Sequence, residues 1–541
     1  MVSLKVLSKA SSHMMYSRAQ RTLSINIRSI ISSFSLALLG VCAIAGGWNT
    51  TQAAPEQAPV SEVRFRESPI THLPPKAVLR ELQVSPDQQR LAYALAEGTN
   101  TVAYLDGSKL GAYDDVRDML FSADSRTLLY VARRGTNVFL VKDQKEGKAY
   151  EDIAKGCLAL SADGEHCAYI ARHEKKWLAV HDGKEGPPYD TIAKSGMALS
   201  PDGSRLAYSA IRKPECFMVV NGKEGPVCDG LGTFTFSADN RHYGYVVPRD
   251  TNWLVVIDGK TTAYAQVLTN GVIFSPNGQR SLYFAGAEGA KLQAYLDGEA
   301  NGEFDIVGAG LAAFSPDSRR VAYGGKLGND WRLNIDGRDT AAYDGLMANS
   351  LVFSPDSRHL AYAALRGKQW FVVLDGKESK AYEGIGASSL LFSPDSQQLA
   401  FIGGRAGKMM AVLNGEEGPA RSSLGAHDLV FSPDSRHFAY VAQQTNGWQA
   451  ILDGTPGDVW ENILLRPFGF SSSGRDFALV GLRTNKFFLV VNGQASPAYD
   501  RLLVNPQATN ALKSAQLLAA RSTESNGIQI VRVDWIQPRK Q

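Results

Sequence analysis

Cysteine is scarce in this chain, five among 541 residues. Cys42 belongs to an N-terminal stretch of its own kind, and the other four, Cys157, Cys167, Cys216 and Cys228, make no Cys-x-x-Cys pair. They read as buried fillers rather than as a framework, with up to two disulfides open to them in an oxidising compartment. Acid is missing from the start of the chain. No Asp or Glu precedes Glu56, while Lys5, Lys9, Arg18, Arg21 and Arg28 stand ahead of a mostly apolar run over 30–48. A basic leader before an apolar core reads as a secretory signal within residues 1–54, cleaved near Ala45 or Ala54, with an uncleaved membrane anchor as the alternative. Leu39-Gly40-Val41-Cys42 matches a lipoprotein cleavage box only in part, since valine stands where a small residue belongs. No Gly-x-Ser-x-Gly elbow occurs, which removes the serine-hydrolase signature. Net charge is small as well. The formal +3 becomes −2 once the leader takes away five positive and no negative charges, so a nucleic-acid partner loses most of its compositional support.

What the chain has in plenty is repetition. A phrase of the form FSPDSRHLAY recurs with its first serine at Ser85, Ser122, Ser161, Ser200, Ser237, Ser275, Ser315, Ser354, Ser393, Ser432 and Ser471. In one copy, Leu351-Val352-Phe353 is a short apolar strand and Ser354-Pro355-Asp356-Ser357 a tight turn, with proline presetting one dihedral and the Asp side chain bonding its own backbone. A second strand centres on Tyr362, a third starts at Trp370, and Asp375-Gly376 is a type I′ hairpin signal before a fourth strand at 380–383. Eight residues after the marker serine stands a tyrosine in nine copies, with Phe401 and Leu479 in the other two. Sixteen after it stand Trp177, Trp253, Trp331, Trp370 and Trp448. Four short antiparallel strands with large residues on both faces bury them only against neighbouring copies, which is the arrangement of propeller blades.

Ser354-Pro355-Asp356-Ser357-Arg358-His359-Leu360-Ala361-Tyr362 resembles the WD40-like repeat of TolB-type bacterial propellers, over roughly residues 80–537. The resemblance implies an all-β propeller and a periplasmic interaction module or a peptidase lid; the missing nucleophile elbow removes the peptidase branch. Residues 55–80 read as a linker that holds a closing strand, 63–66 or 77–82. A degenerate twelfth unit follows Ser471, so about twelve blades are expected. Known rings typically carry 4 to 8 blades, and two rings of six, 81–300 and 301–537, accommodate that number. The unit from Ser275 to Ser315 is the longest, places Lys291 in the tryptophan slot and exits through Gly308 and Gly310. The ring-to-ring crossing is placed there.

No residue pattern assigns a catalytic group, a cofactor or a metal. The turn aspartates, one per blade, lack the dense run of a calcium loop. His166, His173 and His181 lie close in sequence, but His173 sits in the loop between strands two and three while His166 begins strand two at the other end of the blade, so the three do not converge. His359 and His437 share the position of His166. One asymmetry remains: the loops between strands two and three are basic. They carry Arg133, Arg134, Arg172, Lys175, Lys176, Arg212, Lys213, Arg249, Lys326, Arg366, Lys368, Arg405, Lys408, Arg483 and Lys486, and the inter-blade crossings add Lys155, Lys194 and Arg466. That face fits an acidic partner protein or an anionic envelope component. The reading is an exported, periplasmic or secreted, non-catalytic binding scaffold; the alternatives are a hydrolase or lyase in a propeller channel and a cell-envelope spacer anchored in the inner membrane.

Overall fold

The computed structural model describes residues 63–536 except 75–76, 195, 269–270, 426–428, 504–515 and 524–526. The leader, with its run over 30–48, and residues 55–62 and 75–76 of the linker lie outside these residues. Among the described residues no helix is long and apolar enough to cross a membrane.

The repeat unit folds as the alternation of its residues requires. In the copy around Ser354, the first strand is split into Gly345–Leu346 and Val352–Phe353, both paired with Leu360–Arg366, which pairs with Gln369–Leu374 and then with Lys377–Glu378. The hairpin between the last two is type I′, with positive φ at Asp375 (50°) and Gly376 (81°). In the Ser-Pro-Asp-Ser turn, Ser354 Oγ donates to Asp356 Oδ1 at 2.6 Å and the Arg358 amide donates to the same oxygen at 3.1 Å. The turn is also tied sideways, since the amide of Asp356 donates to Ser396 Oγ of the next copy at 2.9 Å.

Among the described residues there are twelve such sheets. Blades 1 to 11 run in chain order over 78–113, 115–146, 152–185, 191–228, 233–264, 266–304, 306–339, 345–378, 384–417, 430–460 and 462–495. Blade 12 takes Arg501–Leu503, Gln516–Ser522 and Ile528–Ile536 from the C-terminal end and its outer strand, Arg64–Leu73, from the N-terminal end. First strands of adjoining blades touch, as Val78–Val84 touches Asp115–Phe121, so they form the inner wall of the ring.

The blades close as one ring of twelve, which corrects the expectation of two rings of six. Each of the twelve inter-blade junctions holds its own apolar cluster, and the last of them joins Leu518, Ala520 and Ile530 of blade 12 to Leu91, Tyr93 and Leu95 of blade 1. The junction between blades 6 and 7 is one of the series. Leu282, Phe284 and Phe304 pack on Val307, Val321 and Tyr323, and the Phe304 ring stands edge-on to Tyr323 at 6.1 Å, as Tyr343 does to Tyr362 at 6.2 Å between blades 7 and 8. Blade 6 keeps its own outer strand, Glu299–Phe304, and the N-terminal strand completes blade 12 instead. The irregularities near residue 300 have local causes. Lys291 pairs with Glu303 of its own blade at 3.0 Å, and Gly310, at φ +64°, forms the first-strand bulge that Gly156 forms in blade 3. The chain from Val63 onward is one compact unit.

Candidate functional site on the loop face

The basic residues of the loops between strands two and three fall into two groups. Arginines twelve residues after the marker serine end strand two, and the register places the fourth-strand acid of the same blade beside them. Arg134 meets Glu146 at 2.9 Å, Arg212 meets Glu224 at 2.6 Å, Arg366 meets Glu378 at 2.7 Å and Arg405 meets Glu417 at 3.0 Å. Each guanidinium also lies over an aromatic ring of the preceding blade, 5.3 Å from Tyr113, 5.0 Å from Tyr189, 5.0 Å from Tyr343 and 5.3 Å from Tyr382. The same acid accepts from that tyrosine: Tyr189 donates to Glu224 at 2.8 Å and Tyr382 to Glu417 at 3.2 Å. The Arg212 hydrogen bond, then the Tyr189 hydroxyl, holds the Glu224 carboxyl below its ordinary pKa. These arginines staple one blade to the next.

The second group is different. Arg133, Lys175, Lys213, Lys368 and Lys408 are exposed, and among the described residues none of them makes an ion pair within 4.0 Å. Between the two groups lie Lys176, paired with Asp190 at 2.5 Å, Arg172, 3.8 Å from Glu151 and over Trp177, and Arg249, 3.5 Å from Asp229. Lys155 and Lys194 are exposed on the first-strand bulges; the Arg466 side chain lies outside the described set.

Sequence reasoning missed the acids on this same face. The residue after the fourth-strand aromatic is acidic in most blades, and it caps the neighbouring loop. Asp114 accepts from the Gly135 amide, Asp305 from Gly328 and Asp344 from Gly367, each at 2.6 Å. The recurring pairs Tyr113-Asp114, Tyr189-Asp190 and Tyr343-Asp344 carried that signal. The face is therefore of mixed charge at its base, and its loop tips carry Glu97, Glu174, Glu215, Asp250, Glu288 and Asp330 on some blades and only cations on blades 2, 8, 9 and 11.

The inner wall departs from the repeat most in blades 1 to 3. Arg117 bonds Asp118 at 2.6 Å, Asp152 at 3.2 Å and the Ile153 carbonyl at 2.6 Å, and a cleft lined by Asp115, Arg117, Arg133 and Asp152 opens beside it. Burial raises the pKa of Glu81, against the opposing hydrogen bond from the Asp118 backbone amide. Asp118 Oδ1 in turn accepts from the Gly156 amide at 3.2 Å. These acids link consecutive bulges.

The tryptophans sixteen residues after the marker are partly buried in inter-blade clusters, Trp177, Trp331 and Trp370 among them. The four histidines that begin strand two tie down the hairpin aspartate: His166, His242, His359 and His437 meet Asp182, Asp258, Asp375 and Asp453 at 2.6–2.7 Å through Nδ1. His173 is apart, edge-on to Tyr150 at 6.5 Å. His181, however, comes to His166 and Asp182, a convergence visible once the hairpin register is counted, because the start of strand two and the end of strand three share one end of the blade. Cys216 and Cys228 are cross-strand partners with sulfurs 2.8 Å apart.

No family model matches the chain, and no curated protein matches it. Solved structures do. The crystal structure of the eukaryotic initiation factor is 15% identical over 64% of this chain and 90% of its own, with a TM-score of 0.33. TolB from Acinetobacter baumannii is 17% identical over 40% of this chain and 61% of its own, with a TM-score of 0.20. The β-propeller domain of the Trilobed protease from Pyrococcus furiosus is 14% identical over 56% and 97%, with a TM-score of 0.21. At these TM-scores the likenesses decide nothing about this chain, and its propeller fold rests on its own four-stranded sheets.

Proposed function

We propose that the protein is exported from a bacterial cytoplasm and works as a non-catalytic binding scaffold, holding an acidic partner protein or an anionic envelope component against the loop tips of its ring. The observation that carries this reading is the division among the loop-face cations. Arginines such as Arg366 and Arg405 are engaged in blade-to-blade staples, whereas Lys175 and Lys213 on blades 3 and 4, and Lys368 and Lys408 on blades 8 and 9, stand at exposed tips and make no ion pair within 4.0 Å among the described residues. Lys213, after the Lys176 hydrogen bond, nevertheless helps to hold Asp190 below its ordinary pKa. Unpaired tip cations on a rigid frame raise the local concentration of an anionic partner without any loop having to order on binding. The basic leader and the apolar run at 30–48 support export, into the periplasm or beyond; a retained anchor would keep the ring at the inner membrane facing the periplasm.

The test is capture from envelope extract by the mature chain, at low and physiological salt, beside a variant with Lys175, Lys213, Lys368 and Lys408 changed to Glu. A specific partner lost by a variant that melts like the parent supports the reading. Equal recovery by the variant, or no partner at either salt, contradicts it.

A second reading, hydrolase or lyase chemistry at the inner wall, has the raised pKa of Glu81 in its favour. Against it, Glu81 and Asp118 are engaged as acceptors of backbone amides, a structural use of both carboxylates.

A further inference from the structure

We propose that His166, His181 and Asp182 bind one divalent transition-metal ion of the zinc and copper class. The first observation is a break in the repeat. Immediately before the hairpin turn the other blades place Leu105, Lys142, Val220, Ile257, Leu296, Ile335, Leu374, Leu413, Leu452 and Val491. Blade 3 alone places an imidazole there. Four blades begin strand two with histidine, and only in this one does a second histidine join it.

The second observation is geometric. One donor atom from each of the three residues lies within 4.8 Å of the others. His166 Nδ1 is 2.7 Å and His181 Nε2 3.6 Å from Asp182 Oδ2, and the two rings are 6.2 Å apart at 51°. A zinc ion sits about 2.0–2.2 Å from nitrogen and carboxylate ligands, so small rotations of two half-exposed imidazoles bring all three into its shell. Imidazole with one carboxylate is a donor set that suits zinc, copper and nickel better than calcium or magnesium.

The frame around the three is already set. Asp182 Oδ1 accepts from the Cys167 amide at 2.8 Å, which orients the carboxylate and leaves Oδ2 turned to the imidazoles. The turn of blade 4 presses against His166: a Cβ on Gly203, which has φ +75°, would lie 2.6 Å from His166 Cβ. The Gly203 carbonyl lies 2.8 Å from His181 Nε2. A carbonyl only accepts, so in the metal-free chain this Nε2 carries a proton, which a bound ion would displace. The carboxylates of Asp163 and Asp202 also act on His166, adding to the negative potential that a dication would neutralise. A bound ion would replace the proton shared by His166 and Asp182 and the one that His181 directs at the Gly203 carbonyl.

The test uses untagged mature chain stripped with chelator and titrated with zinc chloride and, separately, copper(II), followed by calorimetry and by thermal melting. The variants are His181→Leu, which restores the residue that blade 8 carries at Leu374, and His359→Leu, which removes a histidine from a blade with no second one. One equivalent of either metal should bind at micromolar concentration and raise the melting temperature. His181→Leu should keep the metal-free melt and lose affinity by more than the roughly 10- to 100-fold that an outer-shell partner costs, while His359→Leu should bind as the parent does. Absence of binding by both metals, or undiminished binding by His181→Leu, overturns the assignment.

Discussion

Tyr499 donates its hydroxyl to Glu67 Oε1 at 2.7 Å across 432 residues of chain, and Arg521 meets the same carboxylate at 2.9 Å. This is the tyrosine, acid and arginine staple found as Tyr189, Glu224 and Arg212 between blades 3 and 4, rebuilt at the closure with its acid supplied by the N-terminal strand. Arg532 adds a bond to the Gln89 carbonyl at 2.6 Å. Glu67→Ala leaves Tyr499 and Arg521 unanswered at the seam and should cost about 1–3 kcal/mol, measured by urea unfolding. Deleting residues 63–73 should cost far more, because it exposes the edge of Ile528–Ile536. A chain permuted to join its natural ends and reopened at the loop after Arg366 should melt close to the parent.

Acid weakens the turns. The Ser315, Ser393 and Ser432 hydroxyls hold Asp317, Asp395 and Asp434 below the usual carboxylate range. A folded pKa below the unfolded one adds stability that is present above about pH 4 and is lost as pH falls through the depressed values. Melting temperature should therefore be nearly flat down to about pH 4 and drop below it, and replacing Asp356 with Asn should shrink the drop.

Base attacks the inter-blade tyrosines. Burial pushes Tyr169, Tyr208, Tyr323 and Tyr382 up to about 12. Their neutral form is the one the fold retains, so stability is intact below about pH 10, the unfolded value, and falls as pH rises from there toward the folded values. Tyrosinate absorbance from these rings should appear together with loss of the β-sheet circular dichroism signal, and ionisation with the sheet signal intact would contradict their burial.

The blade was legible in the sequence because most copies repeat the same physical demands: a turn after the marker serine, an aromatic for each inter-blade face, and an Asp-Gly or Asn-Gly hairpin, which only Asp143-Gln144 replaces among the eleven copies. The ring size was not. Junctions made of Phe304 with Tyr323 and of Tyr343 with Tyr362 are chemically the same, so nothing in the repeat says after which one the chain returns to its start. Lys291 and Gly310 drew attention to the wrong junction because each has a job within its own blade. On the loop face, the basic residues were legible and their partners were not, since Glu378 lies twelve residues beyond Arg366 and meets it only through the register of two hairpins.

Arginine and tyrosine should differ in weight at the staples. Tyr343→Ala empties a buried inter-blade position and should cost about 3–5 kcal/mol. Arg366→Ala removes a mostly exposed guanidinium with one acid and one ring, and should cost about 1 kcal/mol. Denaturant titrations of the two variants give both values.

Cys216 and Cys228 are in register on adjoining strands, and burial first, then the neighbouring sulfur, pushes the Cys228 thiol up to about 12. So high a value leaves little thiolate for exchange in the folded chain. Refolding with oxidised glutathione should join this pair, two thiols being oxidised as one glutathione disulfide is reduced, whereas the same buffer added to the folded protein should do so slowly. A non-reducing peptide map reads both outcomes.

The measurement that tests the single ring most directly is electron microscopy of the mature chain in views down the ring axis. The account predicts one closed disc of twelve spokes, with the seam between blades 12 and 1 indistinguishable from its neighbours. Two smaller discs of six spokes, or a ring open beside Arg64–Leu73, would contradict it.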